Sequence, residues 1–179
     1  MMTKKEKGFT LIELLIVVAI ILIIAAIAIP NLLRSKMAAN EASAVGSVRT
    51  TVTAAITYDS TYQNFPTTMP QLGGSGTLAA TCDNAQLIDP VLSAAATSQK
   101  SGYSFKMLAG NGSATLPTSC TVAQSTDGFG VDAEPITVGT TGQRSFCSDG
   151  SGVIHQDTTG AKFTLATAQC SAGTGILGQ

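Results

Sequence analysis

One acidic side chain lies inside a long apolar run near the N-terminus. From Phe9 to Ile29 the only polar residues are Thr10 and Glu13. A carboxylate placed in lipid costs about 2.5–3.5 kcal/mol on insertion scales, so such a group is normally functional and has a partner. The alternative is a surface carboxylate that snorkels to nearby headgroups. Charge pairing, rather than catalysis, is therefore the chemistry that Glu13 indicates.

The apolar run is long enough to span a membrane. Its 21 residues would extend roughly 30 Å as a helix, the thickness of a bilayer core. Residues 1–8 carry three lysines and one glutamate, so the positive-inside tendency keeps this end cytoplasmic. Two ordinary interpretations are a secretory signal peptide, with Ala26-Ile27-Ala28 as its cleavage site, and a plain membrane anchor. Neither of them explains Glu13.

The sequence at 8–13, Gly-Phe-Thr-Leu-Ile-Glu, resembles the processing signal of type IV pilins and type II secretion pseudopilins. The resemblance, specific over roughly residues 4–62, implies that a prepilin peptidase cuts between Gly8 and Phe9 and that Phe9 is then N-methylated. It also implies that Glu13 meets the Phe9 amine of a neighbouring subunit, and it gives Thr10 and Pro30 roles in assembly. Burying two opposite charges as a pair offsets much of the cost of burying either one. Such a pair would set the register of assembly.

The chain is expected to change character at Pro30 and near Tyr62. Pro30 should kink a helix whose apolar periodicity then resumes up to Tyr62. We therefore predict a leader at 1–8, a hydrophobic transmembrane or filament-core helix at 9–30, an amphipathic half at 31–62 and a globular region at 63–179. The charges of the amphipathic half are expected to be solvated or to reach neighbouring subunits; they are Arg34, Lys36, Glu41 and Arg49.

Four candidate strands follow in the globular region, separated by glycine- or asparagine-containing turns. They are 103–108, 129–133, 143–147 and 153–156. A short helix is expected within 84–96, and the glycine-rich 73–76 is a turn rather than a phosphate loop. The expected fold class is α+β and pilin-like, with a long N-terminal helix packed on a small antiparallel sheet of about four strands.

The cysteines point to an oxidising compartment. There are four of them, at Cys82, Cys120, Cys147 and Cys170. None forms a CxxC pair and the chain has one histidine, so the pattern is not that of a zinc site. An even count beside an export segment favours two disulfides, and spacing alone leaves three pairings open. The resemblance to pilins favours Cys147 with Cys170, which would tie down the C-terminal tail, and leaves Cys82 with Cys120.

The composition and motifs argue against an enzyme. Only 12% of residues are charged, the formal net charge is −1, and no G-x-S-x-G elbow occurs. The lone His155 follows two apolar residues, which is typical of a structural or exposed histidine. We therefore predict no catalytic residue, no metal site and no cofactor.

Two weaker site hypotheses involve scattered charges. Aspartates could contribute to calcium sites, as in major pseudopilins, but the EF-hand spacing is absent and ordinary turn aspartates are the favoured interpretation. The candidates are Asp127, Asp132, Asp149 and Asp157. DNA binding would require dispersed cations to converge, so no direct nucleic-acid partner is expected. Those cations are Lys100, Lys106, Arg144 and Lys162.

Tyr58, Tyr62 and Phe65 form an aromatic cluster near the end of the predicted helix. Electron transfer along fibres has been attributed to such aromatics in some pilins. We interpret these side chains instead as core residues that also reach lateral contacts, because large aromatic rings contribute mostly through burial.

The function that these patterns predict is structural. The resemblance implies a type IV pilus subunit, of the IVa kind from its short leader and Phe9, that supports adhesion, twitching motility or DNA uptake. Its partners would be other copies of itself in a helical filament, the prepilin peptidase/methyltransferase, the inner-membrane assembly machinery, and the membrane before assembly. The precursor would lie in the inner membrane and the product in an extracellular pilus or periplasmic pseudopilus. The alternatives are a major pseudopilin of a type II secretion system and a non-polymerising, membrane-anchored extracellular binding protein.

Overall fold

The structure, a computed structural model, describes residues 8–74, 79–110, 112, 120–161, 163, 170 and 175–177. The chain divides into two compact units, Met1–Lys36 and Met37–Gln179. Residues 1–7 of the predicted leader, two residues of the glycine-rich turn at 73–76, and Lys162 lie outside the described residues.

One helix, α1, runs from Leu11 to Tyr62 and contains Pro30. The proline ring removes one backbone donor from the helix, and the kink expected there stays a prediction. At the C-terminal end, Gln63 has a φ of 59° and its N–H bonds to the Asp59 carbonyl at 2.7 Å. A left-handed residue directly after the last turn is a common way to end a helix, here without the usual glycine.

In the first unit the apolar side chains of α1 are exposed. Phe9 is 88% exposed and Ile29 is 64% exposed. Among the described residues, α1 is the one helix long and apolar enough to cross a membrane, judged by length and composition. Because a contiguous apolar surface is unstable in water, this segment requires lipid or other chains around it.

The second unit is built on an antiparallel sheet that has six strands within the described residues. In spatial order they are β2 (Thr97–Lys100), β3 (Tyr103–Ala109), β5 (Phe129–Pro135), β6 (Ser145–Asp149), β7 (Ile154–Asp157) and β8 (Gly175–Ile176). A separate pair joins β1 (Phe65–Pro66) to β4 (Gln124–Ser125). The α+β class is confirmed, and β3, β5, β6 and β7 overlap the four predicted strands.

The sheet is larger than the four strands that the sequence predicts. The sequence of β2 is Thr-Ser-Gln-Lys, which has no apolar residue and therefore no periodic signal. This strand is held by its pairing with β3 and by Ser98, whose hydroxyl donates to the Leu92 carbonyl at 2.6 Å. The last strand, β8, has only two residues, which is too short for an alternating pattern.

The helix and the sheet share one hydrophobic core. Small and β-branched residues of α1 and larger residues of the sheet are all buried in one cluster, which includes Ala44, Val48, Val52 and Ala55 from α1 and Phe105, Val131 and Phe146 from the sheet. The small residues of α1 let the helix approach the sheet closely, and the aromatic rings fill the space between them. A second cluster contains Phe163, Cys147 and Cys170.

The helix predicted within 84–96 is wrong. A short helix, α2, lies earlier, at Met69–Leu72. The N–H groups of Ala85 and Leu87 bond at 2.8 and 2.7 Å to carbonyls at the end of α2. Backbone donors used in this way cannot bond to carbonyls four residues back, so the segment lies against α2 as extended chain and turns.

The four cysteines form two disulfides, Cys82–Cys120 and Cys147–Cys170. Next to the first of these, the carboxylate of Asp83 accepts the N–H groups of Thr121 at 2.9 Å and Val122 at 2.9 Å. Burial by itself raises the pKa of Asp83, but a hydrogen bond from the Thr121 hydroxyl and these two backbone bonds outweigh it and hold the pKa below its ordinary value. The chain around residue 120 is therefore fastened to the chain around residue 82 by a covalent bond and by an ionised carboxylate.

Replacing Cys82 and Cys120 together with serine is expected to lower the free energy of unfolding by about 2–4 kcal/mol. The physical reason is that the cross-link closes a 38-residue loop and so restricts the unfolded chain. Chemical denaturation of the full chain in detergent measures the change. Adding a reductant should shrink the difference from wild type, and equal midpoints under oxidising conditions would contradict the prediction.

Candidate functional site

Thr10 and Glu13 form a reciprocal pair at the start of α1. The Leu14 N–H bonds to the Thr10 carbonyl at 3.4 Å, which makes Thr10 the residue that caps the helix. Oε2 of Glu13 accepts the Thr10 N–H at 2.9 Å and the Thr10 hydroxyl at 2.6 Å. In return, the Glu13 N–H donates to the Thr10 hydroxyl oxygen at 3.3 Å. This is a capping box, which satisfies donors that the first helical turn leaves without partners.

The capping box leaves half of the Glu13 carboxylate accessible. Both bonds from Thr10 go to Oε2, and among the described residues no donor bonds to Oε1. A cut between Gly8 and Phe9 would place a new α-amine four residues before Glu13, which is about one helical turn. The carboxylate can therefore bind a cation while the cap stays in place.

The peptide bond between Gly8 and Phe9 lies outside the helix. Phe9 is 88% exposed, and a Cβ added at Gly8 would meet no atom within 4 Å. Exposed chain outside regular structure is where proteolytic cleavage occurs most readily. Packing within the described chain does not require glycine at position 8, so any such requirement comes from whatever binds this segment.

Glu41 is not the solvated charge that the amphipathic pattern predicts. It is 8% exposed, and its Oε2 accepts Nε of Arg144 at 2.8 Å and Nη2 at 2.6 Å. Its Oε1 accepts the backbone N–H groups of Gln143 at 2.9 Å and Arg144 at 3.2 Å. We call this arrangement the Glu41–Arg144 clamp. It fastens α1 to the chain entering β6 through an ion pair in which two guanidinium N–H groups donate to one carboxylate oxygen. Charge-assisted hydrogen bonds of this kind are stronger than neutral ones.

The side chain and the backbone of Arg144 make further contacts. Its Nη1 donates to the Gln156 side-chain oxygen at 3.0 Å, and its guanidinium lies 5.6 Å from the centroid of the Phe146 ring. The Arg144 carbonyl accepts the Tyr103 hydroxyl at 2.7 Å. The contacts with Gln156 and Phe146 orient the guanidinium plane, and the Tyr103 hydroxyl holds the backbone of Arg144. Little side-chain entropy therefore remains to be lost when the guanidinium meets Glu41.

The charge state of Glu41 follows from two opposing effects. Burial by itself raises the pKa of Glu41, because it disfavours the charged form. Hydrogen bonds from the Gln143 N–H and from Arg144 outweigh burial and hold the pKa below its ordinary value. Glu41 is therefore charged at neutral pH, which suits a structural ion pair rather than a general acid.

The cations considered for DNA binding are not brought together. Arg144 is bound to Glu41, and Nζ of Lys100 lies 2.8 Å from a carboxylate oxygen of Asp89. Lys106 on β3 is paired across the sheet with Asp132 on β5. In the described part of the chain these positions therefore form no continuous basic patch of the kind that binds phosphate backbones.

The candidate calcium ligands are distributed rather than clustered. Asp127 and Asp149 border one cavity of about 300 Å³, whereas Asp132 borders another of about 230 Å³. Asp149 accepts the Ser151 N–H at 2.9 Å, and Asp157 accepts the Thr159 N–H at 2.8 Å. Hydrogen bonds to an N–H two residues ahead are typical of aspartates in turns. Within the described residues no group of three His, Cys, Asp or Glu side chains could hold a metal ion.

The aromatic residues near the C-terminal end of α1 pack on the core, where Tyr58 is buried and Tyr62 and Phe65 are partly buried. Tyr58 is fully buried, its hydroxyl donates to the Cys82 carbonyl at 2.5 Å, and it accepts the Gln124 side-chain amide at 2.7 Å. Burial raises the pKa of Tyr58 to about 12. Its ring lies 4.6 Å from that of Tyr62. Tyr58 therefore joins α1 to the disulfide loop as a core residue.

Two features of these sites were not predicted from the sequence, the Thr10–Glu13 capping box and the Glu41–Arg144 clamp. The spacing Thr10-x-x-Glu13 is itself a capping-box signature, so the local role of Thr10 was readable. The Glu41–Arg144 clamp joins residues 103 positions apart, and no local pattern connects them. His155 lies on β7, where its register partners are Cys147 on β6 and Ile176 on β8.

Comparison with known proteins bears mainly on the N-terminal segment. Residues 3–29 match the family model of the prokaryotic N-terminal methylation motif. The chain is 63% identical over 38 residues to the type IV wide pilus major component PilA4 of Thermus thermophilus. It is 35% identical over 66 residues to the type II secretion system core protein G of Escherichia coli. The resemblance to a pilin-type N-terminal segment is confirmed.

Each match covers less than half of this chain and less than half of the relative. The matches cover 21% of this chain and 29% of the pilus component, and 37% of this chain and 46% of the secretion protein. The chain thus spans less than half the length of the curated relatives that it matches. No solved structure matches it significantly.

Proposed function

We propose that this chain is a precursor subunit that is cut between Gly8 and Phe9, methylated on the Phe9 amine, and polymerised through its apolar helix into a filament. The observation that carries the proposal is the start of α1. There the methylation-motif match coincides with an exposed, non-helical Gly8–Phe9 bond and with Glu13, which forms the capping box with Thr10. Each of these features is needed for a different step: recognition, cleavage and charge pairing.

Polymerisation gives the apolar helix a stable environment outside lipid. The side chains from Phe9 to Ile29 are exposed in the single chain, so they must be covered by lipid before assembly and by other helices afterwards. The partners proposed are other copies of this chain, the prepilin peptidase/methyltransferase and the inner-membrane assembly machinery. The precursor would be in the inner membrane, and the filament would lie outside the cytoplasm, where its two disulfides are stable.

In this proposal Glu13 makes assembly depend on cleavage, because its carboxylate pairs with an amine that exists only after the cut. Before cleavage the carboxylate is bound by Thr10 within its own chain. After cleavage the Phe9 amine supplies a full positive charge, and pairing it with Glu13 of a neighbouring subunit allows both to be buried. The pair acts as a register mark, because only one stagger of two helices brings the two charges together.

A type IV pilus is the first candidate for the filament, and a type II secretion pseudopilus is the second. The relative from Thermus thermophilus is named as a pilus component, and the one from Escherichia coli as a secretion-system core protein. Adhesion, twitching motility and DNA uptake are the roles that a pilus subunit would support. Neither relative is named as an enzyme, and no catalytic role is proposed for this chain.

Mass spectrometry of the protein from its native membrane or fibres tests the processing step. The expected product begins at Phe9, lacks residues 1–8 and carries one methyl group on the Phe9 nitrogen. An intact N-terminus, or a cut after Ala28, would overturn the proposal in favour of a membrane anchor or a secretory signal peptide.

Two further measurements separate the remaining candidates. The variant Gly8→Lys is expected to remain uncleaved, since a long charged side chain at the cleaved bond is far bulkier than glycine. Electron microscopy of a deletion strain separates a pilus, whose surface fibres would disappear, from a pseudopilus, whose loss would block protein secretion. A strain that keeps both fibres and secretion would support a non-polymerising binding protein.

A further inference from the structure

A shallow groove lies on the exposed face of α1 in the second unit. Its volume is about 350 Å³, and its lining consists of Arg49, Thr50, Thr53, Ala54, Thr57 and Leu87. The three threonines are spaced i, i+3 and i+7, so they lie along one face of the helix. That face is about 10 Å long, two helical turns.

The groove presents methyl groups rather than hydroxyl donors. The hydroxyls of Thr50, Thr53 and Thr57 each donate to the carbonyl four residues earlier, at 2.9 to 3.0 Å. With these donors used inside the helix, the threonine methyls, Ala54 and Leu87 form an apolar lining. Small side chains on one helix let the backbone of another helix approach closely. The groove therefore fits a helix better than it fits a polar ligand.

The groove and the apolar segment of α1 carry opposite charges. Arg49 is the one charged residue in its lining, and it takes part in neither of the ion pairs found among the described residues. The apolar segment of α1 is exposed along its length and contains one charged residue, Glu13. The segment thus offers an apolar helix with a single negative charge to an apolar groove with a single positive charge.

We propose that this groove receives the apolar helical segment of a second copy, with Glu13 of that copy next to Arg49. The occupant is a second chain because the filament proposed above places copies of this chain side by side. A carboxylate accepts up to about four hydrogen bonds, which allows Thr10, the Phe9 amine and Arg49 to share it. This contact rests on the proposed polymerisation and adds to it a defined surface in the globular unit.

Introducing a charge at the centre of the groove tests the contact. Thr53→Glu places a carboxylate against the apolar segment and near the negative Glu13, and we expect fibre yield to fall at least tenfold. Thr53→Val keeps the methyl groups and should retain wild-type yield. Thr140→Glu makes the same charge change at an exposed threonine outside the groove and should also retain it. Equal yields from the two glutamate variants would overturn the proposal.

Photo-crosslinking identifies the occupant directly. A benzophenone amino acid at position 53 in assembled fibres should yield crosslinked dimers whose tryptic fragments contain the peptide that ends at Arg34. Crosslinks that reach only peptides of the globular region would overturn the proposal. A wild-type strain without filaments would instead sink the proposed function, whereas filaments lacking this crosslink would sink this contact alone.

Discussion

Replacing Glu13 with glutamine is expected to abolish filaments while cleavage after Gly8 continues. Glutamine can accept the same two hydrogen bonds from Thr10, so the capping box and the start of α1 are kept. The negative charge is lost, and the Phe9 amine must then be buried without its partner. Breaking a buried ion pair in this way costs about 3–5 kcal/mol, and every subunit added to the filament would bear that cost.

Substitutions at Thr10 test the helix cap separately from the charge of Glu13. Thr10→Ala removes the cap but keeps the carboxylate, so the helix start should lose only about 1 kcal/mol and filaments should persist at reduced yield. Thr10→Ser keeps the hydroxyl and should match wild type. Counting fibres by electron microscopy, together with the mass of the processed chain, measures both effects. Abundant fibres from Glu13→Gln would show that Glu13 acts as a helix cap and not as a charge.

Replacing Glu41 with glutamine is expected to lower the free energy of unfolding by about 2 kcal/mol at neutral pH. The carboxylate accepts four hydrogen bonds, two of them from a guanidinium that other contacts hold in place. A neutral amide cannot accept at both oxygen positions, so at least one buried donor of the clamp loses its partner. Denaturation of the full chain in detergent measures the loss.

The same substitution should flatten the dependence of stability on pH. The folded-state pKa of Glu41 is below its ordinary value of 4.5, so the clamp contributes its full stability above that value. That contribution is lost as the pH falls through the lowered folded-state pKa, because the unfolded chain then binds a proton more readily. Wild type should therefore lose more stability than Glu41→Gln between neutral pH and pH values below 4.5.

The exposed ion pair between Lys100 and Asp89 provides a matched control. Their side chains are 34% and 38% exposed, so solvent screens the attraction and the pair contributes less than about 1 kcal/mol. Asp89→Asn should change stability little, since asparagine can still accept the backbone bonds from Val91 and Leu92. An equal loss from Asp89→Asn and Glu41→Gln would contradict the role given to the clamp.

Strands were predictable where their side chains alternate and not where pairing alone holds them. Along β3, Tyr103, Phe105 and Met107 are buried in alternation, and this pattern is visible in the sequence. In β2 the corresponding buried position is Ser98, which looks like any loop serine until its hydrogen bond to Leu92 is known. The segment after α2 shows the opposite error, because a helix was predicted within 84–96 where backbone donors bond to α2 instead.

The features at the N-terminus could be predicted from the amino-acid order alone, because every one of them is local. The apolar run, the Gly8–Phe9 junction and the Thr10–Glu13 spacing all lie within one contiguous segment, where hydropathy and spacing are sufficient signals. The cysteine partners, the number of strands and the Glu41–Arg144 clamp become visible only in the folded chain. These depend on which distant residues the sheet register and the packing of α1 bring together, and Glu41 and Arg144 are 103 residues apart. Local periodicity assigns Glu41 to solvent, but the fold buries it against a partner that is distant in the sequence.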